Sequence, residues 1–179
     1  SLTNLAGVYK AQKRLDDAET AYKEALSIRR QSLSANHPDI AQSLFNLALI
    51  YKQNNKFEQA ELLYEESLEV YRNAVPTIPL QVANCLVNLT DIYKAQKRLD
   101  DAEVVCKEAL DIRRQSLPAN HPDIAQILFN LALIYKDKNK LEEAELLYKE
   151  SLEIRRTSIP LKPLSIADCL NNLGVLYKV

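Results

Sequence analysis

"EALSIRRQSLSANHPDIAQSLFNLALIYK", from Glu24 to Lys52, returns as "EALDIRRQSLPANHPDIAQILFNLALIYK", from Glu108 to Lys136. The two copies are 84 residues apart, and half that distance organises the whole chain. Tyr9, Tyr51, Tyr93, Tyr135 and Tyr177 follow a step of 42, as do Asn4, Asn46, Asn88, Asn130 and Asn172. Leu5 to Ala74 matches Leu89 to Ser158 at about three positions in four, so repeats of two types alternate. A fixed period of this length signals an array of stacked supersecondary units, and it has to be read before any single motif.

Each unit carries two stretches with apolar residues three and four apart, the pattern of an amphipathic helix. Leu44, Leu47, Ala48, Ile50 and Tyr51 mark the first, and Phe57, Ala60, Leu63, Tyr64, Leu68 and Val70 the second. The polar link "KQNNK" between them is short enough to force an antiparallel pair. All seven prolines fall between pairs, and the two glycines, Gly7 and Gly174, leave no Gly-rich phosphate loop. Nine helices are predicted, at roughly 2–12, 15–32, 37–53, 57–74, 79–95, 99–116, 121–137, 141–158 and 164–178. A lone pair cannot bury its apolar stripe, so the fold class is all-α: a solenoid of antiparallel helix pairs with one continuous core. About four units then fill 1–179 as a single array. The chain holds no methionine and opens inside a helix, which reads as an array truncated at both ends.

The spacing of Ala6, Tyr9, Ala18, Tyr22 and Ala25 in "LAGVYKAQKRLDDAETAYKEAL" resembles the tetratricopeptide repeat. The longer unit and the two quoted phrases resemble its 42-residue form, found in kinesin light chain and related proteins. The resemblance spans the chain and implies a right-handed superhelical solenoid whose first helices line a concave groove. Departures from the pattern occur at Cys106, which stands where Tyr22, Tyr64 and Tyr148 stand, and at Thr90 and Gly174 in an alanine slot; looser packing is expected in the third repeat.

Charge and composition exclude several functions. Lys and Arg number 23 against 24 Asp and Glu, so no excess of charge attracts nucleic acid or an anionic membrane. No apolar run approaches the roughly 18 residues of a membrane span. Cys85, Cys106 and Cys169 lack the spacing of a disulfide framework or a zinc site, which fits a cytoplasmic setting. Paired carboxylates, nucleophile-base pairs and metal-ligand spacings are missing from the sequence, so neither an enzyme nor a cofactor is expected.

The only histidines, His37 and His121, sit in the repeated "ANHPDIAQ". A His-Pro-Asp triplet also marks the loop of J-domain cochaperones, but there it occurs once between two helices. Here it reads as a helix entrance, with Asn36 and Asn120 as caps, Pro38 and Pro122 in the first turn, and Asp39 and Asp123 at the positive end of the dipole. The alternate repeats replace it with "VPTIPLQVA" and "IPLKPLSIA", whose helices are expected to start about one residue earlier.

Asparagine is a mediocre helix former, yet Asn46, Asn88, Asn130 and Asn172 recur inside first helices, where amides can hold an extended peptide backbone. Phe45, Leu49, Phe129 and Leu133 flank that row as candidate pockets, or pack between repeats. Lys52, Lys94 and Lys136 form a further row suited to acidic ligand residues, or a solvated face. The arginine pairs at 29–30, 113–114 and 155–156 suit the negative ends of second helices. Together with the resemblance to kinesin light chain, which binds cargo adaptors, these rows imply a non-catalytic module that binds an extended, acidic peptide of a protein partner. The alternative is a spacer or self-association array acting through uncapped ends.

Overall fold

The computed structural model describes residues 7–9, 12, 14–158 and 162–177. Among them are eight helices: α1 (Leu15–Ser32), α2 (Pro38–Gln53), α3 (Phe57–Arg72), α4 (Pro79–Ala95), α5 (Leu99–Ser116), α6 (Pro122–Asp137), α7 (Leu141–Thr157) and α8 (Pro163–Leu176). Most of the ninth predicted helix, at 2–12, lies outside the described residues, as do Asn4, Lys10 and Lys178. The chain forms two compact units, Ser1–Ile92 and Tyr93–Val179, divided within α4.

Each unit is built from antiparallel pairs. α2 packs on α1 and α3 in the first unit, and α6 packs on α5 and α7 in the second, with α8 against α7. The small alanines of the repeat make this closeness available: Ala18, Ala48, Ala60, Ala102, Ala132 and Ala144 are fully buried where helices cross. Tyr64 and Tyr148 are the largest fully buried side chains, and each meets a phenylalanine edge-on, Phe45 at 5.3 Å and Phe129 at 5.4 Å. Cys106 and Thr90 are buried despite departing from the pattern, with Thr90 Oγ1 donating to the carbonyl of Leu86 at 2.9 Å.

The turns within pairs follow one design. Asn55, Lys97 and Asn139 adopt left-handed backbone, with φ of 57°, 62° and 59°. That bend lets the next N–H reach back to a tyrosine carbonyl: Lys56 to Tyr51 at 2.9 Å, Arg98 to Tyr93 at 2.8 Å, Lys140 to Tyr135 at 2.8 Å. This is the six-to-one closure that ends helices, usually on glycine. Here asparagine tolerates it well, and lysine less so.

The histidine entrances differ from expectation. His37 and His121, rather than Asn36 and Asn120, are the N-caps, and Nδ1 of each accepts the N–H of Asp39 or Asp123 at 3.1 Å. Pro38 and Pro122 take the first helical position, so the capping residue must be the one before them, and the asparagines are a residue too early. The alternate helices start at Pro79 and Pro163, one residue before the slots that align with Pro38 and Pro122, as the sequence predicted.

Candidate functional site

The asparagine slots fall mid-helix on α2, α4, α6 and α8, where one turn of helix exposes half of each side chain and buries the adjoining leucine. Four equal slots nevertheless carry two different arrangements. Asn46 and Asn130 each accept the amide of the residue one turn earlier, from Gln42 and Gln126, both at 3.2 Å. Among the described residues their own Nδ2 groups have no acceptor. Asn88 and Asn172 instead donate back to their own helices, to the carbonyls of Asn84 and Asp168, both at 2.9 Å. Their Oδ1 atoms accept a lysine from the preceding first helix: Lys52 to Asn88 at 3.1 Å and Lys136 to Asn172 at 3.2 Å. The lysine and asparagine rows are therefore one network inside each unit, which treating them as separate rows missed.

Gln42 and Gln126, the last residues of the two "ANHPDIAQ" phrases, complete this arrangement. Each orders the asparagine after it while its Oε1 accepts from the following second helix, from Tyr71 Oη in the first unit and from Arg155 Nη2 in the second, both at 3.2 Å. Arg155 is only 6% exposed. It also donates to the carbonyl of Ser165 at 2.6 Å and lies 4.8 Å over the ring of Phe129. Burial of a guanidinium is tolerated when hydrogen bonds and an aromatic face replace its water. Beside it a cavity of about 170 Å³ is lined by Gln126, Arg155, Ser158, Lys162 and Ser165, with Pro122 and Asp123 at the entrance of α6. The signal for this site was present in the sequence: Tyr71 and Arg155 share a slot in otherwise matched phrases, as do Ile78 and Lys162.

The apolar candidates divide similarly between two roles. Phe45 and Phe129 rest edge-on against buried tyrosines, and Phe129 and Leu133 pack on the cluster formed by Ala132, Tyr148, Leu152, Cys169 and Leu173. All four of Phe45, Leu49, Phe129 and Leu133 remain half-buried, so they are supports of the core that still show an edge. Lys94 is also half-buried and makes no ion pair among the described residues. The remaining arginines tie pairs together: Arg29 donates to Ser43 Oγ at 2.6 Å, Arg113 pairs with Asp123, and Arg30 pairs with Glu66. Cys85 and Cys169 are buried beside Ser67 and Ser151, at 3.5 and 3.6 Å, and burial pushes the Cys85 thiol up to about 11, far from a reactive thiolate. Among the described residues no cluster of His, Cys, Asp and Glu could hold a metal. No helix there is long and apolar enough to cross a membrane.

Comparison with known families decides the identity of the repeats. The tetratricopeptide repeat family matches residues 1–73 and 81–157. The chain belongs to the tetratricopeptide repeat family. Repeats of this family serve protein-protein interaction and are generally non-catalytic scaffolds. Among solved structures, BtubC (BKLC) from P. vanneervenii is 30% identical over 87% of this chain and 62% of that one, with a TM-score of 0.79. Nearly identical TPR-like repeats of kinesin light chain type from Podosopora anserina are 20% identical, covering 99% of this chain and 84% of theirs, with a TM-score of 0.81. The apo form of RapI has a TM-score of 0.85 at 16% identity, over 98% of this chain and 61% of that one, and shares the fold alone. The tetratricopeptide chain thus spans less than two thirds of BtubC and of RapI. No match was found among curated proteins.

Proposed function

We propose that the first helices of this tetratricopeptide chain bind an extended peptide segment of a protein partner, and that the segment carries acidic side chains. The observation that carries the reading is that a first helix of each unit presents a polar group with unused capacity. Asn46 and Asn130 keep Nδ2 donors while their oxygens are held in place by glutamine, so each amide is oriented before a ligand arrives. Pre-set amides suit a peptide backbone, which offers a carbonyl at every residue and needs no particular side chain. Phe45, Leu49, Phe129 and Leu133 supply half-open apolar edges for occasional anchors. The cavity at Arg155 and Lys162 supplies two cations for a carboxylate.

The test is a double replacement, Asn46→Ala with Asn130→Ala, measured by fluorescence anisotropy against a peptide selected on the wild-type chain from a random library. Loss of two backbone contacts is expected to weaken binding about tenfold, at about 0.5 to 1 kcal/mol per hydrogen bond. Affinity equal to that of the wild type would remove the asparagines from the proposal. Arg155→Tyr, which installs the residue of the first unit, is expected to reduce binding of acidic peptides more than of neutral ones.

A further inference from the structure

The helix α8 leaves open a face that its counterparts bury. Ala167, Leu170 and Gly174 lie on one side of it at helical spacing, and all three are exposed. The same slots are Ala41, Leu44 and Ala48 in α2 and Ala125, Leu128 and Ala132 in α6, each fully buried. Leu170 is 47% exposed where Leu44 and Leu128 are 0%. In those two helices the second helix that follows, α3 on α2 and α7 on α6, closes the face. Small residues permit the close approach: Ser67 and Ser151 on the covering helices donate to the carbonyls of Ala41 and Ala125 at 2.8 and 2.7 Å. A Cβ added to Gly174 would meet nothing within 4 Å, so this side of α8 has room for a neighbour.

The rim of the face specifies the chemistry of that neighbour. One residue after the buried alanine, Gln42 and Gln126 accept Tyr71 Oη and Arg155 Nη2 from the covering helix. At that slot α8 carries an exposed carboxylate, Asp168. A carboxylate only accepts hydrogen bonds, and it holds a guanidinium more strongly than a neutral donor. We infer that α8 docks an amphipathic helix of a separate protein partner, patterned as Ala144, Tyr148, Ser151 and Arg155 are in α7. In the register of α7 on α6, the partner's alanine crosses at Gly174, its aromatic covers Asn171, its small residue meets Ala167 and its arginine reaches Asp168. A second intact copy has no such helix to offer, because the aromatic slots of α1, α3, α5 and α7, at Tyr22, Tyr64, Cys106 and Tyr148, are already buried. The inference does not rest on the peptide-binding reading, which uses α2 and α6.

The probe is a synthetic peptide of residues 140–158, capped at both ends and fluorescently labelled, titrated with the whole chain and followed by anisotropy. A hydrocarbon-stapled version removes the cost of forming an isolated helix. Binding is expected, and Gly174→Gln should weaken it about tenfold, because a long side chain overfills the crossing that Ala48 and Ala132 keep narrow. Gly174→Ala should bind as the wild type does. Asp168→Asn should weaken binding about threefold, the scale of one exposed pair, and should change nothing for a peptide with Arg155→Gln. Both positions are exposed, so circular dichroism and Tm should show each variant folded. Asn46→Ala with Asn130→Ala should leave binding of this helix unchanged, which keeps its outcome distinct from that of the peptide-binding reading. Equal affinity of wild type and Gly174→Gln would place the peptide elsewhere and overturn the inference. So would no binding of either peptide, or sedimentation showing a dimer that Gly174→Gln dissolves, since the face would then belong to a second copy.

Discussion

The first unit, Ser1–Ile92, and the second, Tyr93–Val179, are near copies that handle charge in opposite ways. The first neutralises its face internally, with Lys52 on Asp91, Tyr71 in the arginine slot and Ile78 in the lysine slot. The second has Val175 in place of Asp91, adds Arg155 and Lys162, and carries its acids elsewhere, at Asp137 and Asp168 where the first has Gln53 and Asn84. Away from that face the contrast reverses. Glu19 and Glu103 occupy equivalent slots, each held by a lysine one turn later and by a tyrosine hydroxyl, at 3.0 Å from Tyr51 and 3.1 Å from Tyr135. The second unit adds Lys138, which bonds both Asp100 and Glu103 at 2.5 and 2.6 Å, where the first unit has Asn54. Repetition therefore preserves the frame and leaves individual slots free to redistribute charge. The lesson is that a repeat's sequence match reports its packing, whereas its mismatches report what it does.

The largest effect that probes this comparison is in the core. Tyr64→Ala and Tyr148→Ala each remove a fully buried ring, and each is expected to cost about 4 kcal/mol by chemical denaturation. A similar cost in both units confirms a shared frame; a large difference would break it. Replacement by phenylalanine separates them. Tyr148 Oη donates to Asn172 Oδ1 at 3.4 Å, whereas Tyr64 Oη is buried without a partner. Tyr148→Phe should therefore cost about 0.5 kcal/mol, and Tyr64→Phe should be neutral or slightly stabilising.

Lys138→Asn makes the second unit resemble the first and is expected to lower its stability at neutral pH, by an amount that shrinks as salt is added. The pH dependence has a definite sign. Burial of Glu103 opposes its ionisation, but hydrogen bonds from Lys107, Lys138 and Tyr135 outweigh it and hold the carboxyl down at about 2. A depressed carboxyl contributes stability that is complete above the ordinary value of 4.5 and is lost as the pH falls toward 2. The difference between wild type and Lys138→Asn should therefore shrink across that window, when denaturation is repeated at successive pH values. The reverse change, Asn54→Lys, should strengthen the first unit by a smaller amount.

The smallest effect is at the turns. Lys97 has left-handed backbone where Asn55 and Asn139 stand in the equivalent turns. Lys97→Asn is expected to stabilise by about 0.5 kcal/mol, seen as a small rise in Tm. No rise would mean that the lysine side chain compensates for the strain.

Much of this was legible in advance. Helix periodicity located all eight described helices to within two residues of their observed ends, because the buried face of a helix has to repeat at 3.6 residues. The one-residue shift of the proline-rich entrances was equally readable, since proline is restricted to the first turn. The capping residue was not. Asparagine is the commoner cap, and the choice of histidine became clear only with Pro38 and Pro122 fixed at the first position. The site was half legible. The asparagine, phenylalanine and lysine rows followed from the period of 42, but nothing in that period tells Asn46, whose donor meets no acceptor among the described residues, from Asn88, which spends its donor on Asn84.

By itself the sequence determined the repeat, the helix pairs, the buried alanine and tyrosine slots and the family, because those depend on spacing along one chain. Tertiary structure alone decided which lysine meets which acid, 39 residues away in the case of Lys52 and Asp91, and which arginine turns inward to a glutamine 29 residues before it. Such contacts join different helices, and their existence depends on distances of a few ångströms that no periodicity encodes. Exchanges such as Asp91 for Val175 and Asn84 for Asp168 redistribute charge between equivalent slots while leaving the pattern that builds the helices untouched.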